Sequence, residues 1–171
     1  GVHGARARRH KTNGNSASFV VTRYISSTNI CYVQCQFCAF SKGKLSEKLR
    51  VRPYDLSDEE LTRRTQEAWE RGATEVCMQG GIHPEYTGET YINIVRTVKA
   101  AEPNLHVHAF PPPQVLQGAA TSGLPVGDSF PQPKALGQNT RPRTPHYTVD
   151  DAARGVTRAH KSTTRTWPPG Q

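Results

Sequence analysis

The sequence is short of the material for a large core. Hydrophobic residues make up 35% of its 171 residues, below the roughly 45–50% of ordinary globular domains. No apolar run approaches the ~18 residues that a membrane-spanning helix needs. No secretory or lipidation signal is visible, so reduced thiols and a cytoplasmic location are expected, although the chain opens on Gly1 rather than Met. Cysteine is scarce as well, four in all. Cys77 stands alone, so the second close pair that would complete a structural zinc tetrahedron is missing. A disulfide framework would leave one of the other three unpaired.

Acidic residues are few enough to leave a formal charge of +8. The excess sits entirely in the ends. Arg6, Arg8, Arg9 and Lys11 charge residues 1–18, and a second excess lies beyond Phe110, while Phe19 to Phe110 is neutral on balance. Basic tails of this kind can meet nucleic acid or acidic lipid. Here they carry neither interleaved aromatics nor a reading motif, so a solvated tail is the expectation and a nucleic-acid role is not.

What is present is concentrated in Cys31-Tyr32-Val33-Gln34-Cys35-Gln36-Phe37-Cys38. Three thiolates at this spacing suit an iron–sulfur cubane, which is held by cysteines and normally takes four. With three protein ligands, one iron stays open to a small molecule. Zinc or inert thiols are the other readings of the same spacing.

Around this loop the hydrophobic pattern alternates between two periods. Phe19 to Ile25 and Ala73 to Met78 read as strands, as does Leu105 to Phe110. A helix is expected from Ser57, capped by Ser57 and Glu60, with Leu61, Thr65, Ala68 and Trp69 inward and Gly72 as its stop. A second helix, Thr87 to Ala101, buries Tyr91, Ile94, Val95 and Val98, and Pro103 marks its end. A short third helix, Gln114 to Thr121, follows. Strands and helices at this spacing make parallel βαβ units, whose ligands gather at the carboxyl ends of the strands. The expected organisation is a basic flexible segment over 1–18, a partial barrel over 19–126, and a Pro/Gly/Arg-rich, disordered tail over 127–171.

The run Thr28-Asn29-Ile30-Cys31-x3-Cys35-x-Phe37-Cys38-Ala39-Phe40 resembles the cluster loop of radical S-adenosylmethionine enzymes. Two further runs, Gly72 to Pro84 with its Gln79-Gly80-Gly81 turn and His106-Val107-His108-Ala109-Phe110, are similar to one subgroup, the second component of FO synthase. The radical enzymes of futalosine-dependent menaquinone synthesis resemble the chain less well in these runs.

This resemblance implies an α/β fold, an incomplete (βα) radical-SAM TIM-like barrel of about three βα units. It implies a 4Fe-4S cluster on Cys31, Cys35 and Cys38, with S-adenosylmethionine near Phe37, Gln79, Gly80 and Gly81. It further implies transfer of a 4-hydroxybenzyl group from L-tyrosine to 5-amino-6-(D-ribitylamino)uracil in deazaflavin synthesis. A partner component and a low-potential electron donor would be needed. Family members are longer, so a truncated or degraded copy, inactive alone or a non-catalytic remnant, is expected. His106 and His108 share a strand face; substrate contact, a metal pair and hydrogen-bonded core histidines remain open for them. His83 is expected in a loop and Cys77 as a small buried hydrophobe.

Overall fold

The computed structural model of the protein describes residues 2–33, 52–123, 135 and 137–140. Its elements are α1 (Val2–Asn13), β1 (Thr22–Ser26), α2 (Asp58–Glu70), β2 (Glu75–Gln79), α3 (Gly88–Ala101), β3 (His106–Ala109), α4 (Pro112–Ser122) and β4 (Gln138–Thr140). The four strands form one parallel sheet in sequence order, β1-β2-β3-β4. Helices between parallel strands return the chain to the starting edge and cover one face.

Two expectations about the ends change. Residues of the basic leading segment form the exposed helix α1. The fourth strand lies in the stretch expected to be disordered, where three polar residues carry no strand periodicity and only pairing with β3 defines them.

Local signals explain the helix ends. Ser57 accepts from the Glu60 N–H at 3.3 Å and starts α2. The reciprocal capping box occurs instead at α3, where Thr87 and Thr90 bond each other's backbone. Gly72, at φ +81°, lies in the left-handed region and lets the chain leave α2 through Gly72 N–H to Trp69 O and Ala73 N–H to Ala68 O. Along α2 the carboxylate of Glu60 takes Arg63 and Arg64 at 2.8 and 2.7 Å, and hydrogen bonds from Arg63 and then Arg64 hold its carboxyl down at about 2. A carboxylate depressed in the fold adds stability above its unfolded value and loses it as pH falls through the folded one. The helix should therefore weaken between about pH 4.5 and 2, a small effect on an exposed surface. A Glu60→Gln variant should lack that component of the acid-unfolding curve.

Period-two alternation divides the sheet into two unlike faces. Ile25, Val76, Met78, Val107 and Ala109 are all buried and meet Leu61, Ala68, Tyr91, Ile94, Val95 and Val98 from the helices. Trp69, expected inward, is 40% exposed because it falls at the margin of the α2 stripe. The opposite face carries Tyr24, Ser26, Glu75, Cys77, Gln79, His106, His108 and Thr140, related by the strand register. In a closed barrel that face is the interior.

Candidate active site

The chain leaves β1 through a buried polar run, Ser26-Ser27-Thr28-Asn29. Buried polar groups must be paired, and their partners lie far along the sequence. Thr28 donates its hydroxyl to Tyr54 O at 2.8 Å. Asn29 uses both ends of its amide, Nδ2 to Arg52 O at 3.0 Å and Oδ1 from Tyr54 N–H at 2.8 Å. Leu56 N–H adds a bond to Ser27 O at 2.8 Å. The outgoing chain before Cys31 is thus stapled to the returning chain at 52–56, and the cysteine loop is closed at its neck. Asn29→Ala would leave the Tyr54 N–H and Arg52 carbonyl without these partners, at a cost of about 2 kcal/mol. Urea unfolding of the two proteins measures it.

Cys31 is buried beside Val33 and Ile82, with its thiol directed to Val33 O at 3.5 Å. It stands at the carboxyl end of β1, beside the turn that ends β2. Cys35, Phe37 and Cys38 lie outside the described residues.

The Gln79-Gly80-Gly81 turn touches the neck directly. Gly81 N–H donates to Thr28 O at 2.7 Å. A Cβ on Gly81 would lie 2.0 Å from Ile30 O, and one on Gly80 would lie 2.8 Å from Ser27 Oγ and 3.1 Å from Thr28 O. These glycines are therefore required by the passage of residues 27–30, a packing role that the sequence pattern alone does not reveal. Gln79 turns its side chain to the inner face, donating Nε2 to Cys77 Sγ at 3.4 Å. Cys77 is consequently half-buried on the polar face rather than packed in the core. Burial raises its thiol's pKa despite the hydrogen bond from Gln79.

Beyond the turn, His83 is buried and stacks on Tyr86 at 4.9 Å. Tyr86 meets Tyr91 edge-on at 5.6 Å, and Tyr91 meets Phe110 at 4.9 Å. Tyr86 hydrogen-bonds Asp55, joining this layer to the neck, and Tyr91 donates to Gln117 Oε1 at 2.7 Å. Burial pushes both phenols well above their ordinary range, so they stay protonated. Phe110 holds a φ of 57° at the end of β3, a strained position for a bulky residue that the edge contact with Tyr91 helps to fix. Gln114, fully buried, gives Nε2 to Gly81 O at 3.4 Å, and its Oε1 has no partner among the described residues. Sequence reading missed Gln114, because one glutamine in a helix carries no signal.

His106 and His108 are half-buried on the inner face. His106 Nε2 lies 2.8 Å and His108 Nδ1 2.6 Å from the one hydroxyl of Thr140. Glu75 Oε2 approaches His106 Nε2 at 3.6 Å. Burial lowers the pKa of His108, a larger influence than the raising effect of Glu75. Among the described residues no group of three or more His, Cys, Asp or Glu side chains could hold a metal ion.

A parallel sheet with helices on one face, a polar inner face, and Cys31 beyond a hydrogen-bonded neck at the carboxyl end of β1 defines part of a (βα)-barrel enzyme scaffold. The chain belongs to the radical SAM superfamily, whose pattern matches residues 25–167. It is 41% identical over 154 residues to FO synthase of Streptomyces avermitilis, covering 90% of this chain and 17% of that protein. It is 37% identical over 164 residues to 5-amino-6-(D-ribitylamino)uracil–L-tyrosine 4-hydroxyphenyl transferase of a Cyanothece species, covering 93% of this chain and 42% of that protein. The chain thus spans less than half the length of either relative. Among solved structures, methylornithine synthase superposes with a TM-score of 0.66 at 19% identity, over 94% of this chain and 42% of that one. An FeFe-hydrogenase maturase superposes with a TM-score of 0.62 at 14% identity, over 92% of this chain and 32% of that one. These last likenesses concern the fold alone. Among the described residues no helix is long and apolar enough to cross a membrane.

The superfamily implies a 4Fe-4S cluster and S-adenosylmethionine. The structure is compatible with both at this end of the sheet. Cys31 follows the neck that Asn29 ties to Arg52 and Tyr54, the remaining thiols follow within seven residues in the sequence, and Gln114 Oε1, buried beside the adjoining turn, has no partner among the described residues.

Proposed function

We propose that the chain is the cluster-bearing part of a radical SAM transferase that moves a 4-hydroxybenzyl group from L-tyrosine to 5-amino-6-(D-ribitylamino)uracil in deazaflavin synthesis. The observation that supports this reading is the 37% identity, over 93% of the chain, to a protein named 5-amino-6-(D-ribitylamino)uracil–L-tyrosine 4-hydroxyphenyl transferase, together with the Cys31-x3-Cys35-x2-Cys38 spacing in the sequence. When bound, the cluster and S-adenosylmethionine supply a 5′-deoxyadenosyl radical; the protein orients the reactants and excludes water.

Cys31, Cys35 and Cys38 hold the cluster. Phe37, between the last two, would pack near the adenine. The backbone of Gln79, Gly80 and Gly81 would hold the amino-acid end of S-adenosylmethionine, with Gln114 Nε2 donating to Gly81 O. His106 and His108 contact substrate from the barrel interior. An FO synthase partner component and a low-potential electron donor complete the system.

On the inner face of the described strands Tyr24 is 44% exposed and His106 and His108 are only half-buried, so water reaches part of that face. Hydroxybenzyl transfer is therefore expected only when further barrel strands cover that face. Anaerobic incubation with iron and sulfide should load about four irons per chain, and reduction with S-adenosylmethionine should then release 5′-deoxyadenosine. A chain that takes up no iron, or a loaded chain that never cleaves S-adenosylmethionine, would overturn the proposal.

A further inference from the structure

The two histidines of β3 and the hydroxyl between them form a chain whose proton positions are determined by their neighbours. A hydroxyl has one proton to give and can accept in return, whereas each neutral imidazole has one donor nitrogen and one acceptor. Thr140 Oγ1 lies within hydrogen-bond distance of His106 Nε2 and His108 Nδ1, at 2.8 and 2.6 Å. Among the described residues the hydroxyl has no acceptor other than these two ring nitrogens, so with both rings neutral its proton goes to one ring while the other ring donates to it.

Glu75 breaks this tie. Its Oε2 stands 3.6 Å from His106 Nε2. A lone pair on that nitrogen would face a carboxylate, while an N–H there is attracted to it and can still donate to Thr140. His106 therefore carries its proton on Nε2 and donates to Thr140. Thr140 then donates to His108 Nδ1, and His108 keeps its own proton on Nε2. Burial lowers the pKa of His108, favouring its neutral form. Among the described residues the titratable side chains facing the pair from the adjoining β2 are Glu75 and Cys77, opposite His106 and His108 in the register. The thiol of Cys77, its pKa raised by burial, brings no competing charge.

The placement of Thr140 depends on an irregularity in β4. Val107 pairs with Gln138, but His108 pairs with Thr140, so Asn139 is the extra residue of a bulge. Asn139 covers the gap by accepting the Val107 N–H on its side-chain oxygen at 3.0 Å. In unbroken register Asn139 would stand opposite His108, and Thr140 would not. Bulges re-aim side chains in this way beside active sites.

We propose that Thr140 is a positioning residue that fixes His108 as a neutral Nε2–H donor facing the barrel interior, where it holds a carbonyl or carboxylate oxygen of the substrate. Among the described residues His108 Nε2 has no hydrogen-bond partner, so the donor is available. The substrate contact rests on the transferase reading above; the proton arrangement does not.

Nitrogen-15 NMR of the histidine rings in the full chain separates the two. In the parent protein, His108 Nδ1 should resonate as a hydrogen-bonded, unprotonated nitrogen, and His106 Nε2 as a protonated one. Thr140→Val keeps the shape but removes the hydroxyl, and should move His108 Nδ1 to the position of an unbonded acceptor. Thr140→Ser should restore it. A protonated Nδ1 on His108, or a resonance unmoved by Thr140→Val in a chain whose amide spectrum shows it folded, overturns the arrangement. Adding 5-amino-6-(D-ribitylamino)uracil or L-tyrosine should shift His108 Nε2–H in the parent and less in Thr140→Val. With the arrangement intact, a resonance unmoved by either compound overturns the substrate contact. Release of 5′-deoxyadenosine from the cluster-loaded chain reports separately on the transferase reading.

Discussion

A Gly81→Ala variant should lose the cysteine loop's attachment to the sheet. The added methyl would sit 2.0 Å from Ile30 O, 2.6 Å from Ile30 C and 3.2 Å from Asn29 C. All three are backbone atoms, so no flexible side chain can swing aside. Moving them means moving the segment that Thr28 and Asn29 tie to Tyr54 and Arg52. Over-packing costs typically about 1–3 kcal/mol, and the upper end applies where the neighbour is stapled backbone. Set against a total of about 5–15 kcal/mol, a loss of about 3 kcal/mol lowers the urea midpoint by roughly 1 M or more. Gly72→Ala supplies the contrast. Its φ is +81° but nothing lies within 4 Å of the added carbon, so only the left-handed backbone penalty of about 1–2 kcal/mol remains. Equal midpoints for the two variants would show that residues 27–30 do not press on the turn.

The second large effect concerns the thiols. Replacing Cys31, Cys35 or Cys38 singly by alanine should reduce iron uptake from about four per chain to nearly none, because a cubane already lacking a fourth protein ligand has none to spare. Release of 5′-deoxyadenosine should fall to background in each. Cys77→Ala should leave iron uptake unchanged. Its thiol lies on the inner face, hydrogen-bonded to Gln79, and burial raises its pKa, so it is a poor thiolate ligand. Iron retained by all three loop variants would mean that the metal binds elsewhere. Uptake of zinc in place of iron and sulfide, with the same dependence on the three cysteines, would replace the cluster with a zinc site.

Much of the helix-covered core was legible because it repeats. Leu61, Thr65 and Ala68 recur at helical spacing and are buried, as are Tyr91, Ile94, Val95 and Val98. The strands of the first three units were legible within a few residues, with β1 shifted from Phe19–Ile25 to Thr22–Ser26. Phe19 and Val20, apolar by type, are exposed because the sheet does not extend to them. The strand Gln138–Thr140 was not legible, since its polar residues are ordered by a neighbour far away in sequence. Cys77 was misplaced for a related reason. Alternation shows that residues 75, 77 and 79 share a face, but not which face the helices cover.

By itself the sequence determined the parallel βα order, the inward stripes of α2 and α3, and the cysteine spacing, all short-range patterns written in neighbouring residues. Tertiary structure decided what those patterns face. It spent the bareness of Gly80 and Gly81 on the passage of residues 27–30 and closed the cysteine loop through Asn29. It also used a bulge at Asn139 to set Thr140 between two histidines. Each is a contact between segments distant in the chain, with its geometry fixed only once the sheet has assembled.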